Sequence, residues 1–383
     1  MSKPTTDVII VGGGVMGLSS AWQLARRGVK ATIVELAHCG EGSSRAALGA
    51  LWPSPVVNAG PLQRLHRNSL WEFQDFLNQL KETSGISVDY LRRGKLEILS
   101  SAKAVEEAKA QAFHAVQNWP GVRDGPVMEV LTSDQAHQLE EHIAVDSHEA
   151  QLCRWSAQVN IEQLIAALIA ACRSAGVQMI ESATVTGLHH NDGKIVGVYT
   201  TIQPICAAAV LLCAGIGIGR IEPALDVSAP IKPVKGQALL LRTEKPVISH
   251  IVKNGQIFLV PWPDGRILVG STTEPEAGMD LSNTAEGVEF LLGGAVRTCP
   301  ALSGAKIEKM WAGLRPTGPS HRPLMGQIPG MKNLYVCAGH FKIGIGMAPR
   351  AGQIMADLIT TGKTDADISE LTPRPWNSSP GAT

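Results

Sequence analysis

The chain has 383 residues, and its 34 lysines and arginines balance 34 aspartates and glutamates, so it carries no net charge at pH 7. This balance excludes the strongly basic surface of a nucleic-acid-binding protein or of a protein held on an anionic membrane. The seven cysteines form no CxxC pair and no metal-ligand spacing, which predicts that no metal is bound. We find no secretory signal and no apolar run long enough to span a bilayer, so we expect a cytoplasmic protein.

The N-terminal segment follows the pattern of a dinucleotide-binding unit. An apolar strand over residues 7–11 leads into a glycine turn, a helix is predicted to about residue 27, and a second strand ends at Glu35. The turn glycines allow a close approach to a pyrophosphate, while the start of the helix offers free N–H groups and a positive dipole. The Glu35 carboxylate can accept hydrogen bonds from both ribose hydroxyls. The predicted contacts of the turn are Gly12, Gly14, Val15, Met16 and Gly17.

Apolar spacing and turn signals predict the next elements in chain order. They are an amphipathic helix over 62–82, a hairpin over 91–99, a surface helix over 102–118, a helix from Asn160 to Gly176, a buried strand over 177–180, a hairpin over 184–200 that turns at Asn191-Asp192-Gly193, and an apolar strand over 207–214. Ala214 and Gly215 end that strand as a central parallel strand ends before a ligand, so both are predicted cofactor contacts.

The pattern changes at about residue 231, where alternating strands replace the buried ones. The remaining predicted elements are antiparallel strands over 237–241, 256–260 and 266–270, a helix over 284–298, a buried strand over 335–339, a helix over 351–359 and a frayed tail over 364–383.

Together these signals predict a mixed α/β fold in which a Rossmann-like domain for the cofactor carries an inserted, mainly antiparallel β-sheet domain for the substrate. The cofactor-binding domain is assigned to residues 1–85, 150–225 and 310–363. The substrate-binding domain is assigned to residues 86–149 and 226–309.

Three further segments link the chain to a known family. They are residues 42–52 (GSSRAALGALW), residues 311–326 with WAGLRP at the start and HRPLMG at the end, and residues 338–345 (AGHFKIGI). In this order they resemble the D-amino-acid oxidase family of FAD enzymes, in particular its glycine oxidase branch, over about residues 5–360. Related sarcosine oxidases attach FAD through a cysteine in the second segment. This chain has no cysteine there, so we expect FAD to be bound non-covalently.

The resemblance also implies which residues lie along the flavin. The first segment would pass along it, Val185 would contact the adenine end through its backbone, and the third segment would lie beside the isoalloxazine ring. His340 is then expected to contact the flavin rather than to act as a base. The implied contacts are Ser43, Ser44, Arg45, Ala47, Leu48, Gly49, Val185, Gly339, His340, Lys342, Ile343, Gly344 and Ile345.

Arg315 is the expected substrate anchor, because a guanidinium can bind a carboxylate through two hydrogen bonds and so hold Cα over the flavin N5. The chain departs from the glycine oxidase pattern at two places in the expected pocket. Lys342-Ile343 stands where that pattern has Arg-Asn, and Phe258 stands where it has a tyrosine that helps to hold the substrate. Both changes remove polar groups, which favours a larger or N-substituted amino acid over glycine.

The sequence therefore predicts FAD-dependent oxidation of a small or N-substituted amino acid of the glycine, sarcosine or D-amino-acid type. The resemblance implies hydride transfer from Cα to flavin N5, hydrolysis of the imino acid, and reoxidation by O2 to give H2O2. Two alternatives stay open. One is the flavin subunit of an amino-acid or opine dehydrogenase that passes electrons to a partner or a quinone, and the other is a largely non-catalytic flavin-binding subunit. The sequence leaves open a homo-oligomer or a complex.

Overall fold

A computed structural model describes residues 6–145, 148–191, 194–221 and 231–373. The helices in these ranges are α1 (Val15–Ala25), α2 (Pro61–Trp71), α3 (Phe73–Ser84), α4 (Ala102–Asn118), α5 (Ser133–Leu139), α6 (Ile161–Ser174), α7 (Ala285–Thr298) and α8 (Gly344–Thr361). The strands are β1 (Thr6–Val11), β2 (Ala31–Val34), β3 (Ala50–Leu51), β4 (Tyr90–Leu91), β5 (Lys95–Ile98), β6 (Met128–Leu131), β7 (Ala150–Cys153), β8 (Ala157–Val159), β9 (Gln178–Ile180), β10 (Val185–Asn191), β11 (Lys194–Thr200), β12 (Ile205–Leu212), β13 (Lys232–Arg242), β14 (Ile251–Asn254), β15 (Ile257–Pro261), β16 (Arg266–Gly270), β17 (Lys306–Thr317), β18 (Leu324–Gln327) and β19 (Leu334–Ala338).

The first sheet is the Rossmann-like sheet that the sequence predicts. Its strand order is β10-β11-β12-β1-β2-β9, and β19 pairs with β12 and with β18. The pairs β12–β1, β1–β2, β2–β9 and β12–β19 are all parallel. The carboxyl ends of β19, β12, β1 and β2 therefore lie side by side along one edge, which is where open α/β sheets bind their ligands.

Burial on both faces explains why β1 reads as a continuous apolar run. Val8 and Ile10 belong to the core between the sheet and helices α1, α6 and α8. Ile9 and Val11 belong to a second core on the opposite face, which includes residues of β10 and β11. A central parallel strand needs apolar side chains on both faces, because both faces are covered.

The second sheet has the order β17-β13-β16-β15-β14-β5-β7-β6, and a small sheet has the order β3-β8-β4. Of the pairs in the second sheet, β14–β5 is parallel and the others are antiparallel. One face packs against α7 in a core that includes Leu239, Leu259 and Leu291. The other face carries Arg315, Phe258 and the candidate site.

Three predicted elements differ clearly from the structure. The hairpin over 91–99 is wrong, because β4 pairs with β8 in the small sheet while β5 pairs with β7 and β14 in the second sheet. Gly94, at φ +93°, redirects the chain between them. The helix over 62–82 is two helices that meet at Glu72.

The C-terminal helix begins earlier than predicted, at Gly344, and continues through Pro349. The turn residues 192–193 of the predicted hairpin and residues 374–383 of the predicted tail lie outside the described residues. The two-domain division stays a prediction. The strands Ala150–Cys153 and Lys306–Thr317 belong to the second sheet. The chain therefore leaves the second sheet after Cys153 and after Thr317, slightly later than the predicted boundaries at residues 150 and 310.

Candidate active site

The turn between β1 and α1 has space only for glycine at two positions. Gly12 has φ +105°, and a Cβ there would lie 2.7 Å from the carbonyl oxygen of Cys213. A Cβ on Gly17 would lie 1.9 Å from the carbonyl oxygen of Gly12. The glycines therefore let β1, α1 and the end of β12 come together, as the motif requires.

Side chains from other segments accept hydrogen bonds from N–H groups at the start of α1 and just before it. Gly14 is the N-cap residue and provides no side-chain cap, and the Val15 N–H donates to Ser44 Oγ at 3.0 Å. The Glu35 carboxylate accepts the N–H of Gly13 at 2.6 Å and that of Ala37 at 3.0 Å. A carboxylate has about four lone-pair sites, so Glu35 can still accept ribose hydroxyls.

The predicted adenine contact, Val185, is brought near Glu35 by a backbone hydrogen bond two residues earlier in the chain. The N–H of Ala183 donates to the carbonyl oxygen of Glu35 at 2.9 Å, and β10 begins two residues later at Val185. Val185 itself is buried.

Residues 338–345, the third family segment, lie at the same edge of the first sheet as the glycine turn, on the far side of β12. Ala214 and Gly215 follow β12, and Gly339 and His340 follow β19, the neighbouring strand. The helix that follows, α8, has no side-chain cap at Ile343. A Cβ on Gly344 would lie 3.9 Å from Cε of Met16, so the starts of α1 and α8 are neighbours. The structure thus brings two helix N-termini to one edge, where an anionic or electron-rich group is stabilised.

Residues 43–49 connect this edge to the second sheet. Ser43 Oγ donates to the carbonyl oxygen of Leu314 at 2.5 Å, and Trp311 Nε1 donates to that of Ala46 at 3.0 Å. Gly49 has φ +77°, and its carbonyl oxygen accepts the Val159 N–H. The remaining predicted contacts in this segment differ in exposure: Arg45 is exposed 3.9 Å from the Glu162 carboxylate, whereas Ala47 and Leu48 are half-buried.

Arg315 lies on β17 with its guanidinium over the second sheet. Nη1 donates to the carbonyl oxygens of Lys235 at 3.3 Å and Thr272 at 3.2 Å, and Nη2 donates to Ser271 Oγ at 2.7 Å. These bonds leave Nε–H and one Nη2–H without an acceptor among the described residues, and that edge can bind a carboxylate through two hydrogen bonds. Burial lowers the pKa of the guanidinium, and the Glu274 carboxylate opposes this shift.

Lys342 approaches the same region from the opposite side. The segment after β19 runs beside the end of β17, because the Gly318 N–H donates to the Gly339 carbonyl and the Phe341 N–H donates to the Pro316 carbonyl. Lys342 Nζ lies 3.4 Å from Thr273 Oγ1 and 5.1 Å from the centre of the Phe341 ring. Burial lowers the pKa of Lys342, and repulsion from Arg315 and Lys253 lowers it further.

Phe258 forms the apolar wall of this region. Its ring packs edge-to-face on Trp52 at 5.4 Å between ring centres, and a Cβ on Gly270 would lie 2.7 Å from Phe258 Cζ and 2.8 Å from Leu48 Cδ2. By contrast, Ile343 and Ile345 pack against the core around α1 and α8. Of the third segment, Lys342 therefore extends furthest towards the second sheet.

Sequence reasoning missed the charged residues next to Phe258. Lys253, on β14, pairs with Phe258 on the neighbouring strand β15. On its other side Lys253 pairs with Glu97, which lies on β5. Glu97 forms ion pairs with both Lys253 and the buried Lys95, whose Nζ lies 5.4 Å from the Trp52 ring centre. The signal for these residues is the register between strands distant in sequence, which one chain does not reveal.

The residues present fit an FAD molecule. The glycine cradle, the two neighbouring helix starts and Glu35 offer the groups that a dinucleotide requires. His340 is 4% exposed, and its Nε2 has no hydrogen-bond partner among the described residues. Across the described ranges, no set of three or more His, Cys, Asp or Glu side chains could hold a metal ion, and no helix is long and apolar enough to cross a bilayer.

The Rossmann-like sheet carries a dinucleotide cradle, and the mainly antiparallel sheet carries a free guanidinium edge. Together they define a dinucleotide-dependent enzyme of the flavoprotein class. The sequence model of the family described as FAD dependent oxidoreductase (DAO) matches residues 7–358. The chain belongs to this family and is an FAD-dependent oxidoreductase, which confirms the predicted family, fold class and cofactor.

Individual relatives agree with this assignment. Glycine oxidase of Geobacillus kaustophilus is 30% identical over 95% of each chain. The crystal structure of glycine oxidase from that organism superimposes with a TM-score of 0.89 at 27% identity, covering 96% of this chain and 98% of that one. Hydrogen cyanide synthase subunit HcnC of Pseudomonas protegens is 28% identical over 98% of this chain and 97% of its own.

Proposed function

We propose that this protein oxidises an amine that carries a carboxylate, namely a small or N-substituted amino acid. The observation that carries the proposal is the free Nε–Nη2 edge of Arg315, which lies beside the flavin-facing segment that bears Lys342. The similarity to glycine oxidases supports the same class of substrate. The division into a cofactor domain and a substrate domain follows the two sheets.

In this proposal the glycine turn, Glu35, Ser44 and the starts of α1 and α8 hold FAD, which supplies a two-electron acceptor. The amine loses two electrons and two protons, and water hydrolyses the resulting imine to a 2-oxo acid and ammonia or a primary amine. Arg315 binds the carboxylate and thereby fixes the position of Cα, so its contribution is orientation.

The positive charges around the substrate assist the oxidation in a second way. A hydride leaves carbon readily only when the neighbouring nitrogen is neutral. Arg315, Lys342 and Lys253 are near one another, as the lowered pKa of Lys342 reflects. Like charges disfavour a protonated amine, so these cations promote the neutral form of the bound substrate. Phe258 and Trp52 exclude water from one side.

Anaerobic mixing of the purified holoenzyme with glycine, sarcosine, D-alanine, D-proline and opine-like secondary amines tests the proposal. Loss of the oxidised-flavin absorbance with at least one of these is expected, and Arg315→Met should raise the half-saturating concentration about 100-fold, the effect of a charged hydrogen-bond pair. A yellow protein that none of them bleaches would contradict the proposal.

A second candidate differs in the electron acceptor. The similarity to a subunit of hydrogen cyanide synthase favours a dehydrogenase that works within a complex. Readmitting air after the reduction separates the two, because an oxidase then produces hydrogen peroxide in a one-to-one ratio with the substrate. A dehydrogenase instead produces little peroxide and turns over rapidly with an artificial dye.

A further inference from the structure

The charges on the substrate-facing side of the second sheet point to a more specific substrate class. We infer that the site takes an amino acid with a second anionic group, one carboxylate bound by Arg315 and the other bound by Lys342 with support from Lys253. This inference rests on the proposed function and adds the charge of the substrate to it.

The strand register places the cations on either side of one apolar residue. Gly270 on β16, Phe258 on β15 and Lys253 on β14 are directly opposite one another, so their side-chain directions share one face. The Arg315 guanidinium reaches Ser271, next to Gly270. Neighbouring strands are about 4.8 Å apart, so Phe258 separates the guanidinium from Lys253 by about two strand spacings.

Lys342 supplies a third cation. It comes from the segment beside β17 and reaches Thr273, two residues after Ser271. Among the described residues Lys342 forms no ion pair, whereas Lys253 and Lys95 share the single carboxylate of Glu97. Burial lowers the pKa of Lys342, and repulsion from Arg315 and Lys253 lowers it further, so both cations lie within electrostatic range of Lys342.

The nearby acids do not balance this charge. Four cations, Arg315, Lys342, Lys253 and Lys95, face this side with one carboxylate, that of Glu97. The next acid, Glu274, acts on Arg315 and lies 3.5 Å from Nζ of the buried Lys235, which also pairs with Asp280 at 2.5 Å. With these three groups included, five cations still face only three carboxylates. A monocarboxylate would neutralise Arg315 and leave Lys342 without a counter-ion, whereas a dianion neutralises both.

The second carboxylate can come from the substituent on nitrogen or from the side chain. Two matched pairs of amines separate these sources, because the members of each pair differ by one carboxylate. Sarcosine and iminodiacetate test the nitrogen substituent, and D-alanine and D-aspartate test the side chain. The readout is the rate of anaerobic flavin reduction by the holoenzyme as a function of amine concentration.

Binding is measured separately from reduction. Propionate and succinate are not oxidised, and their dissociation constants follow from calorimetry or from the shift that they cause in the flavin spectrum. We expect succinate to bind about 10-fold to 100-fold more tightly, the effect of one added charged hydrogen bond. Lys342→Met should weaken succinate binding at least about 10-fold more than propionate binding. Lys103→Met, which changes an exposed lysine on α4, should leave both constants unchanged.

Three outcomes are distinguishable. The inference is supported if the wild-type enzyme prefers the dianions and Lys342→Met abolishes this preference. Equal weakening of both ligands by Lys342→Met, or reduction by the monoanions with no preference for the dianions, overturns the inference but leaves the proposed function intact. Flavin that neither member of either pair reduces, nor any other amine tested, overturns the proposed function itself.

Discussion

Gly236 provides the space in which the Arg315 guanidinium lies: a Cβ at residue 236 would be 2.1 Å from Nη2 and 2.4 Å from Cζ. Gly236 is opposite Gly313 on β17, where a Cβ would lie 2.4 Å from Cβ of Ala46. Two glycines in register therefore make room for the Arg315 guanidinium at Gly236 and for Ala46 at Gly313. Because the guanidinium lies so close to residue 236, its position depends on the absence of a side chain at Gly236.

Gly236→Ala should displace the guanidinium without removing its charge. We expect the hydrogen bond from Nη2 to Ser271 to be lost and the KM for the amine to rise about 10-fold, the effect of one or two charged hydrogen bonds that are no longer aligned. Gly304→Ala is the matched control, because a Cβ there meets nothing within 4 Å. Steady-state kinetics with both variants measure the difference. An unchanged KM in Gly236→Ala would show that the position of Arg315 does not determine substrate binding.

Gly17→Ala should weaken both folding and cofactor binding. The new methyl group would overlap the carbonyl oxygen of Gly12 at 1.9 Å, and a backbone atom cannot move aside as a side chain can. Overpacking of this kind lowers the free energy of unfolding by about 2 kcal/mol. Thermal unfolding and the ratio of flavin absorbance to protein absorbance measure the two effects. Full flavin content at wild-type stability would contradict the tight turn described for this segment.

Glu35→Gln tests the contact with the ribose. The amide keeps the size of the side chain but removes the charge that strengthens hydrogen bonds to it, so we expect FAD to bind about 5-fold to 10-fold more weakly. Reconstitution of the apoprotein with FAD, followed by flavin fluorescence, measures the dissociation constant. Glu82→Gln, an exposed site on α3, serves as the control. If both variants bind FAD with equal affinity, Glu35 does not contact the ribose and serves only to hold the turn through its hydrogen bond from Gly13.

Much of the cofactor site could be predicted because its signals are local in sequence. The glycine spacing and Glu35 lie within one βαβ unit, and parallel strands bring their carboxyl ends to one edge whatever follows. The role of Arg315 as substrate anchor is expected from a resemblance, since nothing local in WAGLRP distinguishes an anchor from a packing residue. Its position on the second sheet was not predicted, because the sequence patterns assign residues 310–363 to the cofactor-binding domain. The resemblance could not supply the interactions particular to this chain.

The polar surroundings of the pocket could not be predicted, because they depend on contacts between strands that are distant in sequence. Lys253 and Glu97 become neighbours only through the parallel pairing of β14 with β5, which joins strands more than 150 residues apart in sequence. The departures at Phe258 and at Lys342-Ile343 predict a loss of polar groups when the sequence is considered alone. With Lys253 beside them, the same departures leave a site that is rich in positive charge.

The lowered pKa of Lys342 predicts how binding of a dianion depends on pH. Only the ammonium form attracts the second carboxylate, and the groups facing it are Arg315 and Lys253, both cationic, with Phe341 and Thr273 uncharged. Affinity should therefore be full at neutral pH and fall as the pH rises through the lowered pKa, which lies below the ordinary lysine value of 10.5.

The bound carboxylate stabilises the ammonium, so succinate should raise this pKa, and its dissociation constant should increase by up to about 10-fold per pH unit over the alkaline range. Calorimetric titrations of the holoenzyme with succinate from neutral to alkaline pH measure the change, and propionate should show a smaller one because Arg315 stays charged throughout. Lys342→Met should abolish the alkaline decline. A decline that persists in this variant would assign the titration to a group other than Lys342.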